Sequence, residues 1–255
     1  MKRTCCLLTY IHNEEFFFPI FLKHYANIFA PEDIFVIENN CTNNFVYNYR
    51  KQYLFNTIVC NTDYNHDFNT INQLVQKTCH HLLGKYHSIF IAECDEILFH
   101  PDGLTQAAQK YIKWPHQVIR SIGYEPIHDY FNGEPDIDTN KPILMQRKWW
   151  WDNHYFRKPV FMKKTIDYWH NMHNFDQSFT IMDTQLLLVH LKLIDYKKLY
   201  ERNQKTLVES NFSLETISKN KGWQNRIPNK EEFDKYFTQN LNKTTMIPEK
   251  YKIIC

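Results

Sequence analysis

The tetrad Glu93-Cys94-Asp95-Glu96 puts three carboxylates in four residues, directly after the apolar run Ser88-Ile89-Phe90-Ile91-Ala92. Like charges this close repel, so something must hold them ionised. A divalent cation can do so: Mg²⁺ and Mn²⁺ take oxygen ligands and commonly share carboxylates with substrate phosphates. Carboxylates at i and i+2 of a strand exit point the same way and can serve one cation–diphosphate unit. The other reading of the same residues is a solvated turn with helix-capping acids. A literal D-x-D recurs at Asp136-Ile137-Asp138, but inside a Gly/Pro-bounded loop and not after a buried strand, so it is expected to be a decoy. Cys94 lies between acids, which raise a thiol's pKa and oppose a nucleophilic role. His80-His81 and the other histidines form no H-E-x-x-H or strong zinc spacing, and no G-x-S-x-G elbow occurs. The cluster Trp149-Trp150-Trp151 with Tyr155 and Phe156 offers either faces that stack on sugar rings or a packed core.

The elements that must position the tetrad alternate. Strands are expected at Thr4–Ile11, Asp33–Glu38, Thr57–Cys60 and Ser88–Ala92, each a short apolar run. Helices are expected at about Glu14–Ile28, after Asn43, and at Phe68–Leu83, where apolar residues recur at spacings of three and four. Such alternation gives right-handed βαβ units and a largely parallel sheet, whose ligands gather outside the strands' carboxyl ends. Further on, Gln117–Gly123, Pro142–Gln146 and Val160–Lys163 read as strands, Asn132–Pro142 as a loop, and Thr184–Arg202 as a long helix.

The chain has 255 residues, enough for one large domain or two small ones. Its five glycines are scattered singly, so neither G-x-G-x-x-G nor a P-loop can be written. Apolar residues reach 43%, which argues for a packed globular protein. Thirty basic residues against 28 acidic leave a net charge of +2, too small an excess for a nucleic-acid binder. Residues 196–255 carry 12 basic and 7 acidic residues, so this section reads either as a solvated helical surface or as a peripheral contact with an anionic membrane. Seven cysteines without a C-x-x-C fit a reducing compartment. No signal peptide or membrane-spanning run is read, and the expected location is cytoplasmic, with the membrane face as the alternative.

Several stretches occur together in a familiar order: Asn13-Glu14 after the first strand, a helix with His24, then Ile37-Glu38-Asn39-Asn40-Cys41-Thr42. Glu93-Cys94-Asp95-Glu96-Ile97-Leu98 follows, then Ile122-Gly123-Tyr124-Glu125, Gln146-Arg147-Lys148-Trp149, Lys158-Pro159, Trp169 with His173, and Val189-His190-Leu191-Lys192. Over roughly residues 4–200 this resembles the GT-A glycosyltransferases of the family-2-like group. Glu93 stands where that group has Asp, and Met172 where a glycine is common.

The resemblance implies a GT-A (Rossmann-like) α/β fold, with a mixed, mostly parallel sheet flanked by helices. It implies a catalytic domain over 1–195, its donor half about 1–100 and its acceptor half about 101–195, with a helical C-terminal extension over 196–255. The implied activity is metal-dependent transfer of a sugar from a nucleotide-sugar donor, with UDP-sugars favoured, to a glycan or lipid-linked acceptor, with inversion. Asn13, Glu14, Glu38, Asp63, Gln73 and Glu93 would line the donor site. Arg147 and Lys158 would offset phosphate charge. Asp95, Glu93 and His173 would ligate Mn²⁺ or Mg²⁺. Glu125, with Asp183 as runner-up, would be the base. Trp150, Tyr155 and His190 would face the acceptor. The competing readings are a nucleotidyltransferase and a non-catalytic nucleotide- or glycan-binding module of the same fold.

Overall fold

The structure is a computed structural model. It describes residues 2–42, 44–60, 68–166, 179–209, 227 and 229–252. The chain divides into two compact units, Met1–Tyr124 with Asn153–His190, and Glu125–Asp152 with Leu191–Cys255. The chain thus leaves the first unit, returns and leaves again.

The first unit is a mixed α/β layer. Its strands β1 (Arg3–Ile11), β2 (Ile34–Asn39), β3 (Asn56–Cys60) and β4 (Tyr86–Ile91) pair in parallel, in the order β4-β1-β2-β3. Between them run α1 (Phe17–Tyr25), α2 (Phe45–Tyr53) and α3 (Phe68–Lys85). The central strand β1 is buried from Cys5 to Thr9, which is why it reads as a continuous apolar run. The apolar stripe of α3, Ile71, Val75, Cys79 and Leu82, closes one core against Cys6, Leu8, Ile37, Ile89 and Ile91. Four residues separate β4 from β5 (Glu96–Phe99), which is followed by α4 (Leu104–Ile112) and β6 (Val118–Ile127), whose residues from Glu125 on belong to the second unit. The strand β8 (Pro159–Met162) runs antiparallel to β4 and β6. The strand β9 (Thr180–His190) runs parallel to β6 and antiparallel to β5.

The second unit holds β7 (Trp149–Asp152), α5 (Tyr196–Glu209), α6 (Lys230–Leu241) and β10 (Thr245–Met246). The strands β7 and β10 pair antiparallel. The helices α5 and α6 meet over Leu193, Tyr196, Leu199, Ile227, Phe233 and Phe237. Asn229 caps α6 by accepting the Glu231 N–H at 2.8 Å. Lysines of this basic section are paired with acids of their own unit: Lys197 with Asp136, Lys198 with Glu201, Lys230 with Asp234 and Lys252 with Glu249. Among the described residues no helix is long and apolar enough to cross a membrane.

The α/β class and the parallel core match the sequence reading. Two expectations are corrected. The run Thr184–Arg202 is not one helix: residues to His190 form β9, and helix begins at Tyr196. The apolar stretch Leu186–Val189 fits either state by itself, and pairing with β5 and β6 decides for strand. The expected strand at Pro142–Gln146 is a short 3₁₀ turn at Leu144–Gln146.

Candidate functional site

The acidic tetrad is a tight turn between β4 and β5. The Glu96 N–H donates to the Glu93 carbonyl at 2.9 Å, and the Glu96 carboxylate accepts the Glu93 N–H at 2.8 Å. This reciprocal pair closes the turn with the motif's own atoms. Helix α1 braces the strand that follows. Tyr25 donates its hydroxyl to the Glu96 carbonyl at 3.2 Å and accepts the Leu98 N–H at 2.8 Å. His24 Nε2–H donates to the Leu98 carbonyl at 3.1 Å, and burial pushes its pKa down to about 4, so the ring is neutral.

Lys158, the residue just before β8 and 2% exposed, sits between two of the three carboxylates. Its Nζ lies 2.6 Å from Glu93 Oε1 and 2.6 Å from Glu96 Oε1. One ammonium thus serves two carboxylates. The facing negative charges hold the ammonium protonated against the burial that opposes it. Full burial pushes the Glu96 carboxyl up to about 7, with Lys158 acting in the opposite direction. Tyr10, near the end of β1, donates its hydroxyl to Glu93 Oε2 at 3.3 Å. Burial and these carboxylates keep that phenol protonated.

Asp95 is the third carboxylate, 4% exposed. Its Oδ2 lies 3.6 Å from Nε2 of His190, the last residue of β9 and 6% exposed. The backbones of His190 and Glu96 are partners in the β5–β9 ladder, which brings the imidazole to the turn. The His190 ring stacks on Phe156, with centroids 4.0 Å apart and planes at 27°. Tyr155, next in sequence to Phe156, is 66% exposed.

The separation of Asp95 and His190 is longer than a hydrogen bond. Two ligand atoms each about 2.1 Å from one octahedral ion lie roughly 3 Å apart, so about 0.6 Å of closure lets the pair share a cation. A carboxylate oxygen with an imidazole nitrogen suits Mn²⁺ better than Mg²⁺. Both carboxylate oxygens of Glu93 are engaged, Oε1 by the Lys158 ammonium and Oε2 by the Tyr10 hydroxyl. Lys158 likewise serves its own motif's carboxylates and not a free phosphate-facing position.

The other residues singled out from sequence divide three ways. Asn13 and Glu38 stand at the carboxyl ends of β1 and β2. Asn13 has φ 49° and accepts the Thr42 N–H at 2.8 Å, tying the two strand exits together. His12 adds a bond from Nδ1–H to the Asn39 carbonyl at 2.8 Å. Glu38 and Glu14 are half-buried, and partial burial raises the Glu38 carboxyl. A small cleft nearby is lined by Tyr10, Ile37, Asn39, Cys60, Thr70 and Ile71. Gln73 is exposed on α3, while Asn72 beside it is buried with its amide nitrogen unpartnered. Asp63 and His173 lie outside the described residues.

Asp183 is in the first unit but in a different cluster. It accepts the Tyr111 hydroxyl at 2.7 Å and the Gln185 N–H at 2.8 Å, and its Oδ2 is 3.8 Å from His100 Nε2. His100 is five residues past Asp95, about 16 Å of extended chain. Asp183 thus braces α4 against β9.

Glu125, Arg147 and Trp150 belong to the second unit. Glu125 is 3% exposed. Arg147, 1% exposed, donates to the carbonyls of Ile194 at 2.6 Å, Pro135 at 3.0 Å and Gln146 at 2.8 Å, which makes it a clamp on loops. Trp150 is 2% exposed and packs against Tyr251, so it offers no open face to a sugar; of the expected acceptor aromatics, Tyr155 does.

This unit also brings single ligand atoms of His128, Asp136 and Asp195 within 4.8 Å of one another. All three residues are already engaged. His128 Nε2–H donates to the Glu134 carbonyl at 2.8 Å, and its Nδ1 accepts the Tyr196 N–H at 3.2 Å. Asp195 accepts the Ile137 N–H at 2.9 Å and the Lys198 N–H at 3.0 Å. Asp136 pairs with Lys197 at 2.6 Å. The set is a possible cation site by composition and a hydrogen-bonded loop anchor by geometry.

Tyr10 was not singled out from sequence, and Phe156 and Gly123 were noted only as part of the aromatic cluster and of the Ile122-Gly123-Tyr124-Glu125 stretch. A polar-tipped aromatic near the end of an apolar strand is the signal that marks Tyr10.

No family model and no curated protein matches the chain. Among solved structures it is similar to one from Bacillus anthracis, provisionally assigned as a glucose-1-phosphate thymidylyltransferase and in complex with a sucrose. The identity is 9%, over 92% of this chain and 83% of that one, with a TM-score of 0.33. A likeness of that size decides nothing about activity.

Proposed function

We propose that the chain is a metal-dependent glycosyltransferase that moves a sugar from a nucleotide-sugar donor, a UDP-sugar by preference, to a glycan or lipid-linked acceptor. The observation that carries this is the position of Asp95 and His190: a carboxylate and an imidazole 3.6 Å apart, just outside the carboxyl end of a parallel strand. Open α/β sheets bind their ligands there. Asp95 and His190 would hold Mn²⁺. Bound there, the cation supplies Lewis-acid stabilisation of the charge on the departing nucleoside diphosphate.

The chain's own residues supply the rest. Lys158 keeps Glu93 and Glu96 in place and lowers the negative charge that a diphosphate would meet. Asn13 fixes the exits of β1 and β2, where Glu38 and Glu14 offer acceptors to a nucleoside. Tyr155 offers an exposed ring for an acceptor sugar. Inversion needs a base for the acceptor hydroxyl. Glu125 is assigned that role on its Ile122-Gly123-Tyr124-Glu125 context. In this reading residues 1–195 carry the chemistry and residues 196–255 are an extension.

The test is release of nucleotide from a panel of UDP-, GDP-, CMP- and dTDP-sugars with Mn²⁺ or with EDTA. The expected result is release from one donor class, dependent on Mn²⁺ and lost in Asp95→Ala. Release unaffected by EDTA contradicts the metal. Binding without release supports a binding module, and pyrophosphate formed from a nucleoside triphosphate and a sugar phosphate supports a nucleotidyltransferase.

A further inference from the structure

We propose that Phe156 is a positioning residue that aims the His190 imidazole at Asp95, and that Gly123 is glycine to give Phe156 its place. The proposal rests on reading Asp95 and His190 as ligands of one cation. It concerns what sets their geometry.

An imidazole at a strand end can turn about two side-chain bonds, and a metal-binding histidine works only if something fixes its plane. Here Phe156 covers one ring face, with centroids 4.0 Å apart and planes at 27°. Phe156 is itself held at both ends of its backbone. Its N–H donates to the Asn153 carbonyl at 3.0 Å, and its carbonyl accepts the buried Ser121 hydroxyl at 3.1 Å.

Gly123 lies directly beneath this turn. The Asn153 N–H donates to the Gly123 carbonyl at 3.0 Å. A Cβ on Gly123 would stand 2.4 Å from Phe156 Cβ, 2.8 Å from the Phe156 carbonyl carbon and 2.9 Å from the Asn153 carbonyl oxygen. Two of these three atoms are backbone, so no rotamer change relieves the clash. Among the described residues the positive-φ glycines are Gly103 and Gly133, not Gly123, so the backbone conformation does not demand glycine here. Space for Phe156 does. A side chain at 123 would lift the turn and take the Phe156 ring off His190. The strand that carries Gly123 also pairs with β9, Gly123 opposite Leu188, two residues before His190.

The experiment is a Mn²⁺ titration of the whole chain, read by the electron paramagnetic resonance of free Mn²⁺, with the His190 imidazole proton shifts as a second readout. Phe156→Leu keeps an apolar side chain but loses the stacking face. It is expected to weaken Mn²⁺ binding about 10-fold or more, the usual effect of losing an outer support of a metal ligand. It should also move the His190 ring protons downfield as the ring current is lost. Phe156→Tyr keeps the face and should stay near wild type in both readouts. Gly123→Ala should copy Phe156→Leu, and either variant carries the test should the other fail to fold.

Mn²⁺ affinity within twofold of wild type in Phe156→Leu or Gly123→Ala, with binding still lost in Asp95→Ala and His190→Ala, overturns the positioning role and leaves the cation site standing. Equal loss in Phe156→Tyr and Phe156→Leu also overturns it. A wild-type chain that binds no Mn²⁺ removes the cation site and this inference together.

Discussion

Replacing Lys158 with Met tests how the acidic turn is held. Lys158 is 2% exposed, and its ammonium lies 2.6 Å from each of two carboxylates. Removing one partner of a buried ion pair typically costs about 3–5 kcal/mol, because the remaining charge is left uncompensated. Here two charges are left, one of them on the fully buried Glu96. Lys158→Met should therefore lose about 3–5 kcal/mol at pH 8, measured by urea unfolding with a probe in the first unit.

The loss should shrink in acid. Without the ammonium the folded chain must keep a proton that the wild type does not, on Glu93 as well as Glu96. One extra bound proton recovers up to about 1.4 kcal/mol per pH unit. Between pH 7 and 5 that is roughly 2–3 kcal/mol. Adding Glu96→Gln to Lys158→Met removes one stranded charge and should restore part of the stability at pH 8. A loss below about 1 kcal/mol at pH 8, or one of the same size at pH 5, would show that Lys158 does not neutralise this turn.

Glu96 itself sets a pH dependence. Its folded pKa, about 7, lies above the ordinary 4.5. The proton is therefore favoured by folding: the stabilisation is full below 4.5 and is lost as pH rises through 7. The difference in unfolding free energy between wild type and Glu96→Gln should change by roughly 3 kcal/mol across that window, and a flat difference refutes the shift. Tyr25→Phe strands the Leu98 N–H and the Glu96 carbonyl inside the protein and should cost about 1–3 kcal/mol in thermal or urea unfolding. Leu54 ends α2 with φ 56° and is 68% exposed, so Leu54→Gly should stabilise by up to about 1 kcal/mol; destabilisation would mean that the leucine has a packing role.

The donor half of the fold was legible because each element there has a local cause. The first four strands are short apolar runs, and α3 carries its stripe at spacings of three and four. The tetrad stood out because three acids cannot share a turn without a counter-charge. What the sequence hid is where that charge comes from. Lys158 is 65 residues from Glu93 and reaches it only because β8 lies beside β4. His190 was hard to place for a similar reason: its leucine-rich run fits helix or strand, and the β5–β9 ladder alone puts it beside Asp95. Trp150 misled because an aromatic run looks the same whether it faces sugar or packs on Tyr251. Gly123 stood out only as part of a motif, and its contact with Phe156, 33 residues later, was not legible there.

The central claim is a nucleotide site that depends on a cation held by Asp95. The direct measurement is the melting temperature of the chain with UDP, GDP, CMP or dTDP, each with and without Mn²⁺, in wild type and Asp95→Ala. A ligand at about 100 times its Kd stabilises by roughly 2.7 kcal/mol, a shift on the order of 5–10 °C for a chain of this size. The account predicts such a shift for one nucleotide, with UDP the first candidate, only when Mn²⁺ is present and not in Asp95→Ala. No shift with any nucleotide under either condition, or a shift that survives Asp95→Ala unchanged, contradicts it.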